Sequence, residues 1–143
     1  VPVFHTATLL TPAGELTLAV DPAGALAALV FADEQALAPL LGSNATLSPD
    51  AARTAPAVAE LHAYFLGNLR TFTLTLAPVV GTRHQRRVWD ALTRIPFGAT
   101  WSYARLAAET GSVARAVGSA NAANPISIVV PCHRVIGADG SLT

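Results

Sequence analysis

Cys132 and His133 stand side by side near the end of a 143-residue chain that contains no other cysteine. A thiol attacks only as the thiolate, and a free cysteine, with a pKa of about 8.5, is only slightly ionised at neutral pH. An imidazole within reach takes the proton directly or through a water, so the pair points to nucleophilic chemistry at sulfur. On an extended segment adjacent side chains face opposite ways, and contact then needs a turn or a bridging water. One cysteine forms neither an internal disulfide nor a cysteine-rich zinc site. His5, His62, His84 and His133 show no tight ligand spacing, and neither metal nor cofactor is expected. A lone cysteine is more often an inert core residue than a nucleophile, so its surroundings must decide.

The pair is delivered by residues 126–130, a short apolar, β-branched run that reads as a strand ending at Pro131. Upstream, Ser102 caps an expected helix over 103–109 that ends at Gly111. Ser112 caps another over 113–123, stopped by Asn124-Pro125. Two short helices across a glycine-containing turn have the geometry of a helix-turn-helix. The second of them is built from alanines, a glycine and a serine, with Arg115 as its single long basic side chain. A helix that reads base edges normally carries several long polar side chains; small residues suit close approach to a narrow groove and binding driven by shape. Thr82 and Gln85 form a capping-box pattern for a preceding helix whose apolar face is Val88, Ala91, Leu92 and Ile95.

The first half reads differently. Residues 3–10, 15–20 and 25–31 form a β-meander punctuated by Thr11-Pro12-Ala13-Gly14 and Asp21-Pro22-Ala23-Gly24. A short helix is expected over 34–41 and a loop over 42–49. Residues 56–66 read as a helix with Pro56 in its first turn and Gly67 past its end, and 71–77 as a half-buried strand. Residues 78–81 are the expected linker between lobes 1–80 and 81–143, and Asp139-Gly140 a final turn.

All nine basic residues are arginines, and the formal net charge is zero. Residues 1–80 hold two arginines against six acids, whereas 81–143 hold seven against three. The second half is therefore suited to facing an anion such as a phosphate backbone. No apolar run approaches the ~18 residues of a membrane span, and residues 1–10 lack the pattern of a signal peptide. A soluble, cytoplasmic monomer without membrane partners is expected.

Residues 81–143 resemble, almost from end to end, the C-terminal domain of the O6-alkylguanine-DNA alkyltransferases. The resemblance is carried by Gln85-Arg86-Arg87-Val88-Trp89, Ile95-Pro96-Phe97-Gly98, Ser102-Tyr103, Ala114-Arg115-Ala116-Val117-Gly118, Asn124-Pro125 and Pro131-Cys132-His133-Arg134-Val135, in the family's order and at about its spacing. Residues 1–80 resemble its N-terminal lobe more loosely, through the meander and Tyr64-Phe65-Leu66-Gly67. The implied fold is mixed α/β (α+β), a ribonuclease-H-like lobe followed by a helix-turn-helix, winged-helix-like lobe.

The resemblance implies that Cys132 accepts an alkyl group from O6-alkylguanine, or O4-alkylthymine, in double-stranded DNA, irreversibly and once per molecule. His133 matches the residue that activates the thiol through a water, and Asn124 the one tying the recognition helix to the active-site loop. Arg115 matches the finger that fills the space left by the flipped base. Tyr103 matches the residue that rotates the phosphate, with Ser102 beside it. Ala114, Ala116 and Gly118 match the small positions that admit the helix to the minor groove, and Pro131 and Val135 line the alkyl pocket.

The family's pattern runs past Thr143 into a Gly-Tyr-containing loop that closes the pocket and a helix whose glutamate orients the histidine. The alternative expectation is a lesion-binding protein with weak or no transfer. A helix-turn-helix regulator is disfavoured by the bare recognition helix. A Cys-His hydrolase is disfavoured because neither an oxyanion site nor a third residue is visible.

Overall fold

The computed structural model describes residues 2–137; the turn expected at Asp139-Gly140 lies outside the described residues. The chain divides into two compact units, Val1–Val80 and Gly81–Thr143.

In the first unit, β1 (Val3–Thr11), β2 (Gly14–Val20) and β3 (Leu26–Val30) form the antiparallel meander. Its second turn is fixed by Asp21, whose carboxylate accepts from the Ala23 and Ala25 amides at 2.9 Å each; this is the turn chemistry for which aspartate is favoured. After a 3-10 turn, Glu34–Leu37, and a short helix α1 (Ala38–Leu41), the chain adds β4 (Thr46–Pro49) parallel to β1, giving the order β3-β2-β1-β4. A loop was expected at β4, because the segment is polar and ends in proline. Both traits are tolerated in an edge strand, which has no partner on its outer side.

Helix α2 runs Ala51–Phe65 and packs on β1 and β2. It begins a turn and a half before the expected start, because Asp50 caps it by accepting from the Arg53 amide at 3.0 Å. Pro56 therefore lies inside the helix. It is exposed, as is Ala52, whose carbonyl it cannot serve. Leu61 is fully buried, while Val58 and Phe65 are only half-buried. Residues 71–77 alternate exposed threonines with half-buried Phe72, Leu74 and Leu76, as the pattern predicts, yet they form no strand. They make one isolated bridge, Leu26↔Leu76, and the Thr73 amide bonds the Glu60 carboxylate at 2.8 Å in place of a ladder partner. The core beside the meander gathers Phe4, Ala19, Ala27, Ala28, Leu37 and Leu41.

The second unit opens with α3 (Arg83–Leu92), whose capping box is formed: the Gln85 amide donates to the Thr82 hydroxyl at 3.0 Å and the Thr82 amide to the Gln85 side chain at 2.9 Å. Gly81, at φ +114°, is required there, because a Cβ would lie 2.6 Å from the Trp89 ring. Strand β5 (Trp101–Ser102) leads into α4 (Tyr103–Thr110), capped by Ser102 and closed by Gly111 in the left-handed conformation. Helix α5 (Ala114–Ala122) follows, and α3, α4 and α5 pack against one another. The expected cap at Ser112 is absent. Val113 is the N-cap, with no side-chain bond, and Ser112 instead pairs with His84 Nε2 at 2.7 Å. A second 3-10 turn, Cys132–Arg134, and β6 (Val135–Ile136), parallel to β5, complete the unit. No helix among the described residues is long and apolar enough to cross a membrane.

Candidate active site

The segment that delivers Cys132 is not the strand its composition predicts. Residues 126–130 are buried at four of five positions but coil through turns. The Val130 amide returns to the Ile126 carbonyl at 3.1 Å and the Val129 amide to the Ser127 carbonyl at 2.7 Å. Ile128 sits at φ +71°. That is costly for a β-branched residue, on the order of 1–2 kcal/mol. Pro125 and Pro131 bracket the run without amide donors, so neither end can donate to a ladder.

Asn124 supplies what a ladder would. Its Nδ2 donates to the Val130 carbonyl at 2.8 Å and its Oδ1 accepts from the Ile126 amide at 3.0 Å. The loop is thereby closed on Asn124, just past the C-cap of α5, and Cys132 follows it on the 3-10 turn, half-buried. Three further residues hold this turn or the helix beside it through contacts not foreseen from the sequence. Arg134 donates to the Ile95 carbonyl at 2.7 Å and lies 5.6 Å from the centre of the Phe97 ring. Asn121 of α5 donates to the Cys132 carbonyl at 3.4 Å. The buried indole N–H of Trp89 donates to the Ala120 carbonyl at 2.8 Å, pinning α5 to α3.

His133 follows Cys132 on the turn and keeps an exposed face. Burial of the rest of its ring, and secondarily the Arg134 charge, hold its pKa below the ordinary imidazole value of 6.5. The ring is thus neutral at neutral pH and retains a nitrogen able to accept a proton. No group of three histidine, cysteine, aspartate or glutamate side chains among the described residues could hold a metal ion.

The remaining candidates lie mainly on α4 and α5. Arg115 and Ala114 are exposed, Ala116 and Gly118 half-buried. The Tyr103 ring lies over Gly118: a Cβ there would be 3.7 Å from Tyr103 Cε1, ordinary contact, so an alanine fits as well. Ser102 is engaged as the α4 cap, accepting from the Arg105 amide at 3.0 Å. Pro131 is buried, and Val135 is buried where β6 pairs with Trp101 of β5. Among the described residues Arg115 has no carboxylate partner, whereas Arg94 pairs with Asp90 and Arg105 with Glu109.

Residues 83–143 match the family described as 6-O-methylguanine DNA methyltransferase, DNA binding domain. A methylated-DNA–protein-cysteine methyltransferase of Mycobacterium tuberculosis is 45% identical over 143 residues, covering 99% of this chain and 83% of the relative. The chain belongs to the methylated-DNA–protein-cysteine methyltransferases. A Methanosarcina acetivorans member is 54% identical over 86 residues, 59% of this chain and 54% of the relative. Among solved structures, that of Mycobacterium tuberculosis OGT in complex with DNA superposes with a TM-score of 0.81 at 42% identity, covering 97% of this chain and 82% of that one. Family membership and the mixed α/β fold expected from the sequence thus agree with the known proteins.

Proposed function

We propose that this chain repairs double-stranded DNA by moving the alkyl group of O6-alkylguanine, and of O4-alkylthymine, onto Cys132 in a single irreversible event. The observation that carries the reading is the tie between Asn124 and the Val130 carbonyl, which fixes the chain's only cysteine two residues beyond the end of a loop anchored to α5. The Cys132 proton passes to His133, directly or through a water. The sulfur then attacks the alkyl carbon in line, the carbon–O6 bond breaks, and its electron pair leaves on the base oxygen, which is reprotonated. A thioether does not revert, so each molecule acts once.

Chemistry on a stacked base requires extruding it, at a cost of a few kcal/mol. Arg115, exposed and without a carboxylate partner among the described residues, fills the vacated stack. Tyr103, with Ser102 beside it, turns the flanking phosphate. The small faces of Ala114, Ala116 and Gly118 admit α5 to a minor groove only about 6 Å wide. Pro131 and Val135 supply the apolar floor of the alkyl pocket. Contacts made to backbone and shape leave binding indifferent to sequence, which suits a lesion that arises anywhere.

Intact mass and peptide mapping after incubation with duplex DNA containing O6-methylguanine test the reading. One methyl per chain, on Cys132, is expected. Repeated turnover, or tight lesion binding with Cys132 unmodified, would overturn it, the latter in favour of a lesion-binding protein.

A further inference from the structure

Asn121 is unused by the reading above, yet it touches the nucleophile's own backbone. Its Nδ2 donates to the Cys132 carbonyl, while its Oδ1 is buried and has no partner among the described residues. The carbonyl can only accept, so the amide's orientation is set by chemistry. The same carbonyl also receives the Val135 amide across the 3-10 turn. Three residues on, past the end of α5, Asn124 holds the Val130 carbonyl. The two asparagines thus grip the carbonyls on either side of Pro131, one from the last turn of α5 and one from just beyond its C-cap.

We propose that Asn121 is a positioning residue for Cys132: its side-chain amide fixes the Cys132 peptide plane to α5, and with it the direction in which the thiol points. The proposal rests on Cys132 being the alkyl acceptor. Two features separate this role from packing. A buried acceptor left unpaired costs free energy, and this face of α5 otherwise carries small or apolar residues, Val117 and Ala120, that incur no such cost. The bond is also longer, at 3.4 Å, than the usual 2.7–3.2 Å. Such contacts often tighten only when substrate is bound, so seating α5 in a groove would shorten the link and carry the helix position to the sulfur.

The test compares Asn121→Ala and Asn121→Asp with the unaltered chain in two reactions. The first is single-turnover methyl transfer from O6-methylguanine duplex, followed across DNA concentration. The second is alkylation of Cys132 by iodoacetamide across pH, which needs no set orientation. Asn121→Ala is expected to lower the limiting transfer rate by on the order of tenfold, with half-saturation and the iodoacetamide pH profile unchanged. In Asn121→Asp the ionised carboxylate repels the Cys132 carbonyl, whereas the protonated acid donates to it. Its transfer rate relative to the unaltered chain should therefore climb as pH falls. A limiting rate for Asn121→Ala within about twofold of the unaltered chain, a flat Asn121→Asp ratio, or iodoacetamide reactivity falling in parallel would each overturn the assignment. An unaltered chain that takes up no methyl refutes the acceptor reading itself, a result distinct from all three.

Discussion

Replacing Asn124 by alanine removes both bonds that close the loop before Cys132, at 2.8 Å to the Val130 carbonyl and 3.0 Å from the Ile126 amide. Ile126 and Val130 are 1% and 3% exposed, so neither backbone group meets water once its partner is gone. The Val130 carbonyl keeps the Cys132 amide as a donor at 2.8 Å, so the stranded group is the Ile126 amide, and the expected loss is about 1–3 kcal/mol. Asn124→Asp keeps the acceptor for Ile126 and sets an oxygen against the Val130 carbonyl, so its loss should be smaller at low pH, where the acid donates. The chain's two tryptophans, Trp89 and Trp101, are both buried in the second unit. Urea unfolding followed by their fluorescence therefore reads this unit, and the extrapolated stabilities give the two differences. Methyl transfer should fall with Asn124→Ala even well below its unfolding midpoint, since the loop it frees leads directly into Cys132. A loss under about 1 kcal/mol together with an unchanged transfer rate would refute the closure argument.

His133 is held below its ordinary 6.5, chiefly by burial and then by Arg134, so the unfolded chain binds its proton first as pH falls. Its stability contribution is whole above 6.5 and is lost as pH drops through that value toward the folded pKa; His133→Gln should flatten that limb in urea titrations at several pH values. Arg115→Ala should slow repair of duplex far more than reaction with a free O6-alkylated guanine base, because base extrusion is bypassed in the second case; equal losses in the two rate constants would remove the finger role. Gly81→Ala forces a Cβ to 2.6 Å from the Trp89 ring at φ +114°, and thermal unfolding should show a loss of about 1–3 kcal/mol.

Signals confined to a few neighbouring residues were legible in the sequence: the Thr82–Gln85 box, Ser102 as a cap, Gly111 as a stop, and the turns of the meander. Their partners lie within four residues, so local chemistry decides them. What misled was composition whose outcome depends on distant partners. Residues 126–130 look like a strand, but they form no named strand among the described residues, and Asn124 coils them instead. Residues 71–77 carry the right alternation of faces yet meet β3 at a single bridge. Ser112 looks like a cap until His84, distant in sequence, claims its hydroxyl. Within the site, Cys132 and His133 were visible as a pair, but on a 3-10 turn rather than at a strand end. The supports from Trp89, Asn121 and Arg134 were not visible, because each reaches across at least eleven positions to a backbone carbonyl, a partner that leaves no mark on residue type.

The glycine, the capping pair and the indole that packs against the glycine all fall within residues 81–89. A joint placed just before Gly81 therefore disturbs none of the instructions that begin α3. The cysteine-bearing unit thus carries the start of its first helix within its own residues.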